Sequence, residues 1–243
     1  MLKRILISAL SLILLWQLVL WVWRLPPYIL PSPWQVWRVW QQGYGILLQQ
    51  SIPTLCETLV SFALAILVGC MMALTLAYFK WARAWLFPWV LVSQALPTFA
   101  LAPLLVVWLG YGIGSKIATA LIMMFFPITS AFYDGLRRTK PEWLDLAKTM
   151  DAKKSAVLWF ICVPAALPNL ASGLRVAAVL APMGAVIGEW VGSSRGLGYL
   201  MLNANARMQI DWMFAALMAI TLWTLLLYSV VDWVLKKWIR WHV

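Results

Sequence analysis

A chain of 243 residues that is 64% hydrophobic and only 11% charged carries more apolar side chain than a soluble fold of this size can hide. Its solvent must be largely lipid, which excludes a water-soluble enzyme or binding module. The formal charge of +11 would suggest nucleic acid in a soluble protein; here it marks basic loops facing an anionic membrane surface, with lipid and not nucleic acid as the partner.

Crossing about 30 Å of hydrocarbon takes roughly 20 apolar residues. Six such windows run at 5–24, 54–79, 85–109, 116–134, 169–190 and 212–235, predicting an all-α polytopic membrane protein with one transmembrane domain over residues 1–243. Leu25-Pro26-Pro27 follows the first window where a signal peptide would end in small residues, so that window reads as an anchor. Ser32 then suits an N-cap, with Pro33 at the first helical position. Trp34, Trp37 and Trp40 recur every third residue, which predicts an amphipathic helix lying in the membrane interface. An aromatic patch that grips solute is the alternative for the same residues.

Glu57 lies near the outer end of the second window and Glu189 near that of the fifth. An intramembrane acid can relay protons, but near an interface it can equally be satisfied by water, Arg195 or Arg207. The third window contains Pro88, Pro97 and Pro103, and the fourth contains Pro127. Proline breaks or kinks a span and frees carbonyls that a cavity or neighbour must satisfy. Spans three and four are therefore the expected pore lining, with Gln94, Thr98, Phe99, Thr119 and Met123 as candidate solute-pathway residues. No arginine or lysine cluster is evident at bilayer depth, which favours a neutral or weakly polar heteroaromatic over an anion.

Chemistry of the covalent kind finds no footing. Cys56, Cys70 and Cys162 sit in apolar runs without metal-ligand spacing, so no metal or cofactor is expected. The single histidine, His242, is next to the C-terminus, and no nucleophile–base pair accompanies it. The glycine-rich run Gly192–Tyr199 lacks phosphate-loop spacing. The chain is not expected to be an enzyme.

Six spans place both termini on one side. Lys3, Arg4, Lys80, Arg83, Arg137, Arg138, Lys140, Lys148, Lys153, Lys154, Lys236, Lys237 and Arg240 share that side, against Arg24, Arg38, Lys116, Arg195 and Arg207 on the other. The positive-inside rule makes the first side cytoplasmic.

The loop between spans four and five then faces the cytoplasm. Pro141 opens a helix over 142–150 whose apolar face (Trp143, Leu146, Ala147, Met150) opposes Glu142, Asp145 and Lys148. Asp151 interrupts it, and a second helix from about Ser155 leads to Pro164. A short exposed helix of this kind suits docking into a groove on another protein, or else lies on the membrane surface without a partner.

This block resembles the cytoplasmic loop of ATP-binding-cassette importer permeases, in which Glu-Ala-Ala is followed after three residues by Gly and after nine more by Ile-x-Leu-Pro. Asp145-Leu146-Ala147 takes the place of the triplet, Asp151 that of the glycine, and Ile161 with Val163-Pro164 that of the close. Pro31-Ser32-Pro33, Leu96-Pro97, the run Trp108–Lys116 and Pro164–Pro168 resemble the nitrate, sulfonate, taurine and pyrimidine-precursor branch. Gly188–Gly192 and Asn203–Gln209 resemble permeases for hydroxymethylpyrimidine, a thiamine precursor. The resemblance implies a type I importer permease fold, a coupling helix between spans four and five, and alternating access driven by cytoplasmic ATPase subunits. It implies an external solute-binding protein and a second permease copy, with Trp143, Asp145, Leu146, Ala147, Met150, Asp151 and Ala152 at the ATPase contact. Sulfonate, taurine or nitrate is the alternative cargo, and a proton-coupled carrier or passive channel the alternative class. Asp151 departs from the motif where a glycine turn is expected, but aspartate tolerates left-handed backbone.

Overall fold

The computed structural model describes residues 2–239, with side chains for residue 7 and residues 10–239. The side chains of Lys3 and Arg4, and all of Arg240 and His242, lie outside the described residues. Apart from one π turn, Leu158–Cys162, the regular structure is α-helical. In chain order the helices are α1 (Leu2–Trp23), α2 (Pro33–Tyr78), α3 (Lys80–Ala95), α4 (Thr98–Leu109) and α5 (Ile113–Arg137). Then come α6 (Pro141–Thr149), α7 (Lys154–Val157), α8 (Val163–Gly192), α9 (Leu197–Ala206) and α10 (Ile210–Trp238).

Among the described residues, α2, α5, the run Lys154–Gly192 and α10 are long and apolar enough to cross a membrane. The pair α3 and α4 makes a fifth candidate, bent by 104°. The described apolar part of α1, Leu10–Trp23, is shorter than a span. The bend falls at Leu96-Pro97, where proline bars its predecessor from helical backbone, and Leu96 is extended (φ −76°, ψ 124°). The prolines expected to disturb span three do so at this one point; Pro88, Pro103 and Pro127 sit inside helices.

The separate interfacial helix expected after Ser32 is not formed. Residues 33–78 make one helix of 46 residues, about 69 Å long at 1.5 Å per residue. Its start is as the sequence predicts: Gln35 N–H donates to Ser32 Oγ (3.2 Å) and Ser32 N–H donates to Gln35 Oε1 (2.7 Å), with Pro33 in the first turn. Continuity comes from packing. Val36, Val39, Gly43, Leu47, Ser51, Thr54, Thr58 and Ser61 form one buried stripe at helical spacing, while Trp34 and Trp37 stay exposed. At Gly43 an added Cβ would lie 2.3 Å from the Trp212 ring, so α10 rests directly on α2 backbone.

Helix α5 is the centre of the bundle, packed most extensively against α8 and next against α2. Small residues bring α5 and α8 together, as in membrane helix pairs that lack a hydrophobic driving force. A Cβ on Gly184 would come within 2.6 Å of Ala120 Cα, and one on Gly173 within 2.7 Å of the Pro127 carbonyl. Phe62, Ala65, Ala120, Met124, Ile128, Ala177 and Ala181 fill the middle of the core. Leu222, Leu225 and Leu226 on α10 and Val107 and Trp108 on α4 remain exposed, as lipid-facing residues require.

Candidate functional site

Two polar features interrupt this apolar bundle, one at each end of α5. At its C-terminal end Arg138, Thr139 and Lys140 lead into α6. Pro141 starts the helix without losing a needed donor, Glu142 lies in its first turn and Lys148 in its last, each matched to the helix dipole. The end of α6 is a Schellman turn: Ala152 N–H donates to Ala147 O (3.0 Å) and Asp151 N–H to Lys148 O (3.0 Å). Asp151 has φ +50°, so the aspartate occupies the left-handed position that glycine usually fills. The exposed pair Lys148–Asp145 (2.8 Å) adds little stability.

The apolar face of α6 divides. Ala147 is buried, whereas Trp143, Leu146 and Met150 are 46%, 61% and 73% exposed. These three edge a cleft of about 710 Å³ whose other wall is Ala156, Val157, Phe160, Ile161 and Pro164. Asp145 is exposed on the outer side of α6, and Ala152 borders the cleft. Three links join this unit to the spans. Residues 138–140 connect it to α5, and the π turn Leu158–Cys162 feeds it without a break into α8. Lys154 Nζ donates to the Tyr78 carbonyl at the end of α2 and lies 4.5 Å from the Tyr78 ring centroid.

At the far end of α5, Lys116 is 6% exposed and donates to Glu57 Oε1 (2.9 Å) and Ser193 Oγ (2.7 Å). Glu189, 1% exposed, accepts from the Thr54 hydroxyl (2.5 Å) and from Gly198 N–H (2.5 Å). Thr54 Oγ1 also accepts from Leu197 N–H (2.9 Å), and Gln50 Oε1 accepts from Gly196 N–H (2.7 Å). The glycine-rich loop is thus strapped to α2 and α8 through its own amides. Gly196 has φ +112°, and a Cβ there would fall 2.2 Å from Glu189 Oε1, so glycine is required twice over.

These contacts correct the sequence reading. Glu57 is paired by Lys116, and Glu189 by Thr54 and Gly198, not by Arg195 or Arg207. Lys116 had no reason to look buried beside Gly110, Gly112 and Gly114, until α5 begins at Ile113 and turns it inward. Lys116 and Arg195 also line one cleft, so cations do meet near the end of the bundle. Arg175 on α8 is a further charge, half-buried and paired with Asp232 of α10 at 2.8 Å.

Of the five solute-pathway candidates, three flank the α3–α4 bend and two lie on α5. Gln94 and Phe99 are exposed and Thr98 half-buried on either side of the α3–α4 bend; Met123 is half-buried on α5. Thr119 is buried and donates to Ser115 O within its own helix (2.8 Å).

The described helices thus form a membrane bundle from which one loop projects a short amphipathic helix. The sequence profile of the family described as binding-protein-dependent transport system inner membrane component matches residues 65–240, and the chain belongs to that family. It is 48% identical over 232 residues to a probable ABC transporter permease protein of Haemophilus influenzae, covering 96% of this chain and 94% of that one. It is 34% identical to the formylaminopyrimidine transport permease protein ThiX of Halalkalibacterium halodurans, covering 85% and 83%. The taurine transport system permease protein TauC of Escherichia coli is 26% identical, covering 95% and 86%. The fold matches a chain of the inward-facing MetNI methionine ABC transporter with a TM-score of 0.65 at 18% identity, covering 86% of this chain and 98% of that chain. The protein is therefore an inner-membrane permease subunit of an ABC importer for small solutes, with the type I importer permease fold. It is not itself an enzyme: ATP hydrolysis is done by separate ATPase subunits, and an external binding protein is the family's other partner.

Proposed function

We propose that α6 is the coupling helix, through which this permease docks on its ATPase. The observation that carries this is the exposed ridge of Trp143 (46%), Leu146 (61%) and Met150 (73%) beside a 710 Å³ cleft, on the helix that carries the importer-like triplet Asp145-Leu146-Ala147. Exposed apolar residues on a charged loop outside the bundle are what a partner groove would cover. Asp145, Ala147, Asp151 and Ala152 support that ridge: Ala147 seats the helix and Asp151–Ala152 close its turn. ATPase closure would move α6 as a unit and pass the motion to α5, α8 and α2 through the three links described.

In this reading residues 1–243 act as one permease domain with six spans, counting α1 and the bent α3–α4 pair as one each. Both termini and α6 face the cytoplasm, as the excess of lysine and arginine on that side requires. The chain pairs with a second copy of itself across the solute path, with Gln94, Thr98, Phe99, Thr119 and Met123 near that path. The cargo in this reading is a pyrimidine precursor of thiamine: permeases for formylaminopyrimidine and for riboflavin, both nitrogen heterocycles, are each 34% identical to the chain, against 26% for a taurine permease.

Leu146→Asp and Met150→Asp are the variants that test docking. Each should leave the permease in the membrane while lowering co-purification of its ATPase at least tenfold, since a carboxylate would be desolvated in the groove. Undiminished recovery of the complex with both variants overturns the assignment of α6.

A further inference from the structure

Helix α3 begins and α5 ends at the end of the bundle that carries α6. There Tyr133 of α5, 1% exposed, packs its ring against Phe87 of α3 with 5.5 Å between centroids. Two arginines share that ring. The guanidinium carbon of Arg83, in the first turn of α3, lies 6.0 Å from the Tyr133 centroid, and that of Arg137, in the last turn of α5, lies 5.6 Å from it. Stacking uses the face of a guanidinium and leaves its N–H edge free to donate. That edge is unused here: both arginines are exposed, and among the described residues neither makes an ion pair or a side-chain hydrogen bond. Asp134, the acid next to Tyr133 in sequence, is exposed and is likewise in no ion pair.

The depth of the pair is set by its neighbours. Trp81 and Trp85 lie one turn apart on the opposite face of α3, 67% and 65% exposed. Exposed tryptophan collects where hydrocarbon meets headgroups, and Arg83 falls between these two along the helix. Its free N–H edge is therefore at headgroup level, where lipid and not a soluble protein is the immediate neighbour. We propose that Arg83 and Arg137 hold the headgroup of an anionic phospholipid that carries two phosphates, one accepting from each guanidinium. Guanidinium matches phosphate oxygens two at a time, and basic pockets between membrane helices take such headgroups. A lipid with one phosphate leaves one arginine unmatched, and a zwitterionic one brings its own cation against the second. The site depends neither on the cargo nor on docking by α6, and the orientation proposed above decides only which leaflet supplies the lipid.

The test uses the purified importer, permease with its ATPase, titrated in detergent with three lipids while native mass spectrometry counts those bound. Cardiolipin carries two phosphates, phosphatidylglycerol one, and phosphatidylcholine one with a cation. We expect cardiolipin to be retained about tenfold more tightly than phosphatidylglycerol, the scale of hydrogen bonds to one more charged group, and phosphatidylcholine least. Arg83→Ala alone should bring cardiolipin down to the level of phosphatidylglycerol, because one guanidinium remains. Arg83→Ala/Arg137→Ala should bring both down to the level of phosphatidylcholine; if that protein does not fold, the single variant still decides. Arg38→Ala/Arg207→Ala removes the same charge from exposed positions at the other end of the bundle and should leave the cardiolipin preference intact. A preference that survives Arg83→Ala, or that is lost equally in the distant double variant, overturns the site. Equal retention of cardiolipin and phosphatidylglycerol by the unaltered importer overturns the two-phosphate assignment. Displacement of bound cardiolipin by an equal concentration of inorganic pyrophosphate gives the pair to a soluble phosphate and not to lipid. Loss of the ATPase from Arg83→Ala with lipid retention unchanged would show that the pair faces a protein, and would overturn the proposal.

Discussion

Lys116 and Glu57 show how a membrane interior treats single residues. Taking one partner from a buried pair leaves an uncompensated charge, at a cost of about 3–5 kcal/mol, whereas removing both can be neutral. Lys116→Met should therefore lower the thermal midpoint of the purified permease sharply, and Glu57→Gln/Lys116→Met should recover most of it. A double variant as unstable as the single one means that the pair is not the dominant interaction at that site. Asp151 sits at the opposite extreme, exposed at the end of α6 with φ +50°. Asp151→Gly should be neutral or slightly stabilising there, while Asp151→Val should cost about 1–2 kcal/mol for a left-handed backbone. Denaturation midpoints of the three proteins check this, and a valine variant as stable as wild type would contradict the left-handed turn.

Helix packing sets the next scale, and α8 depends on having almost no side chain where it meets α5. Gly184→Leu would drive a side chain into Ala120, whose Cα lies 2.6 Å from the position of the added Cβ. We expect loss of folded, detergent-stable permease, read by size-exclusion chromatography, while Gly45→Leu on the open side of α2 has nothing within 4 Å and should fold normally. At this scale much of the fold was legible in the sequence. Apolar windows found α2, α5, α8 and α10, and Pro141 with Asp151 bracketed α6, because span length and helix-end chemistry are local. Two things were not legible. The valine stripe between Trp34 and Trp40 reads as interface until α10 is there to cover it, so α2 came out as two helices. Ala147 sits at one edge of the apolar face, about 60° round the helix from Met150 and about 100° from Leu146, and that offset decides which is buried. The buried cluster was half legible: Glu57 and Glu189 were conspicuous, but their partners Lys116, Thr54 and Gly198 lie 59, 135 and 9 residues away.

At the scale of the whole molecule the same contacts define what has to move. Helices α5 and α8 pack together at backbone level, whereas α6 is joined to the spans by residues 138–140 at one end and by α7 and the π turn at the other, with Ala147 buried between them. In the proposed reading, movement of α6 would pass to the bundle through these links, since packed elements shift as bodies. Among the described residues no row of carboxyls links the two ends of the bundle: Glu57 and Glu189 lie together at one end, and the partly exposed Asp232 is held by Arg175 and Lys236. Uptake should accordingly follow ATP and not the proton gradient. In vesicles holding the permease, its ATPase and its binding protein, solute should accumulate when ATP is supplied on the α6 side and should be unaffected by an uncoupler. Severing one link tests the transmission directly. Lys154→Met removes the tie to Tyr78 at the end of α2 while leaving the exposed ridge of α6 untouched, so the ATPase should still co-purify and hydrolyse ATP while uptake per ATP falls severalfold. Loss of ATPase binding in that variant would place Lys154 in the docking surface, and unchanged uptake per ATP would show that α5 and α8 alone carry the motion.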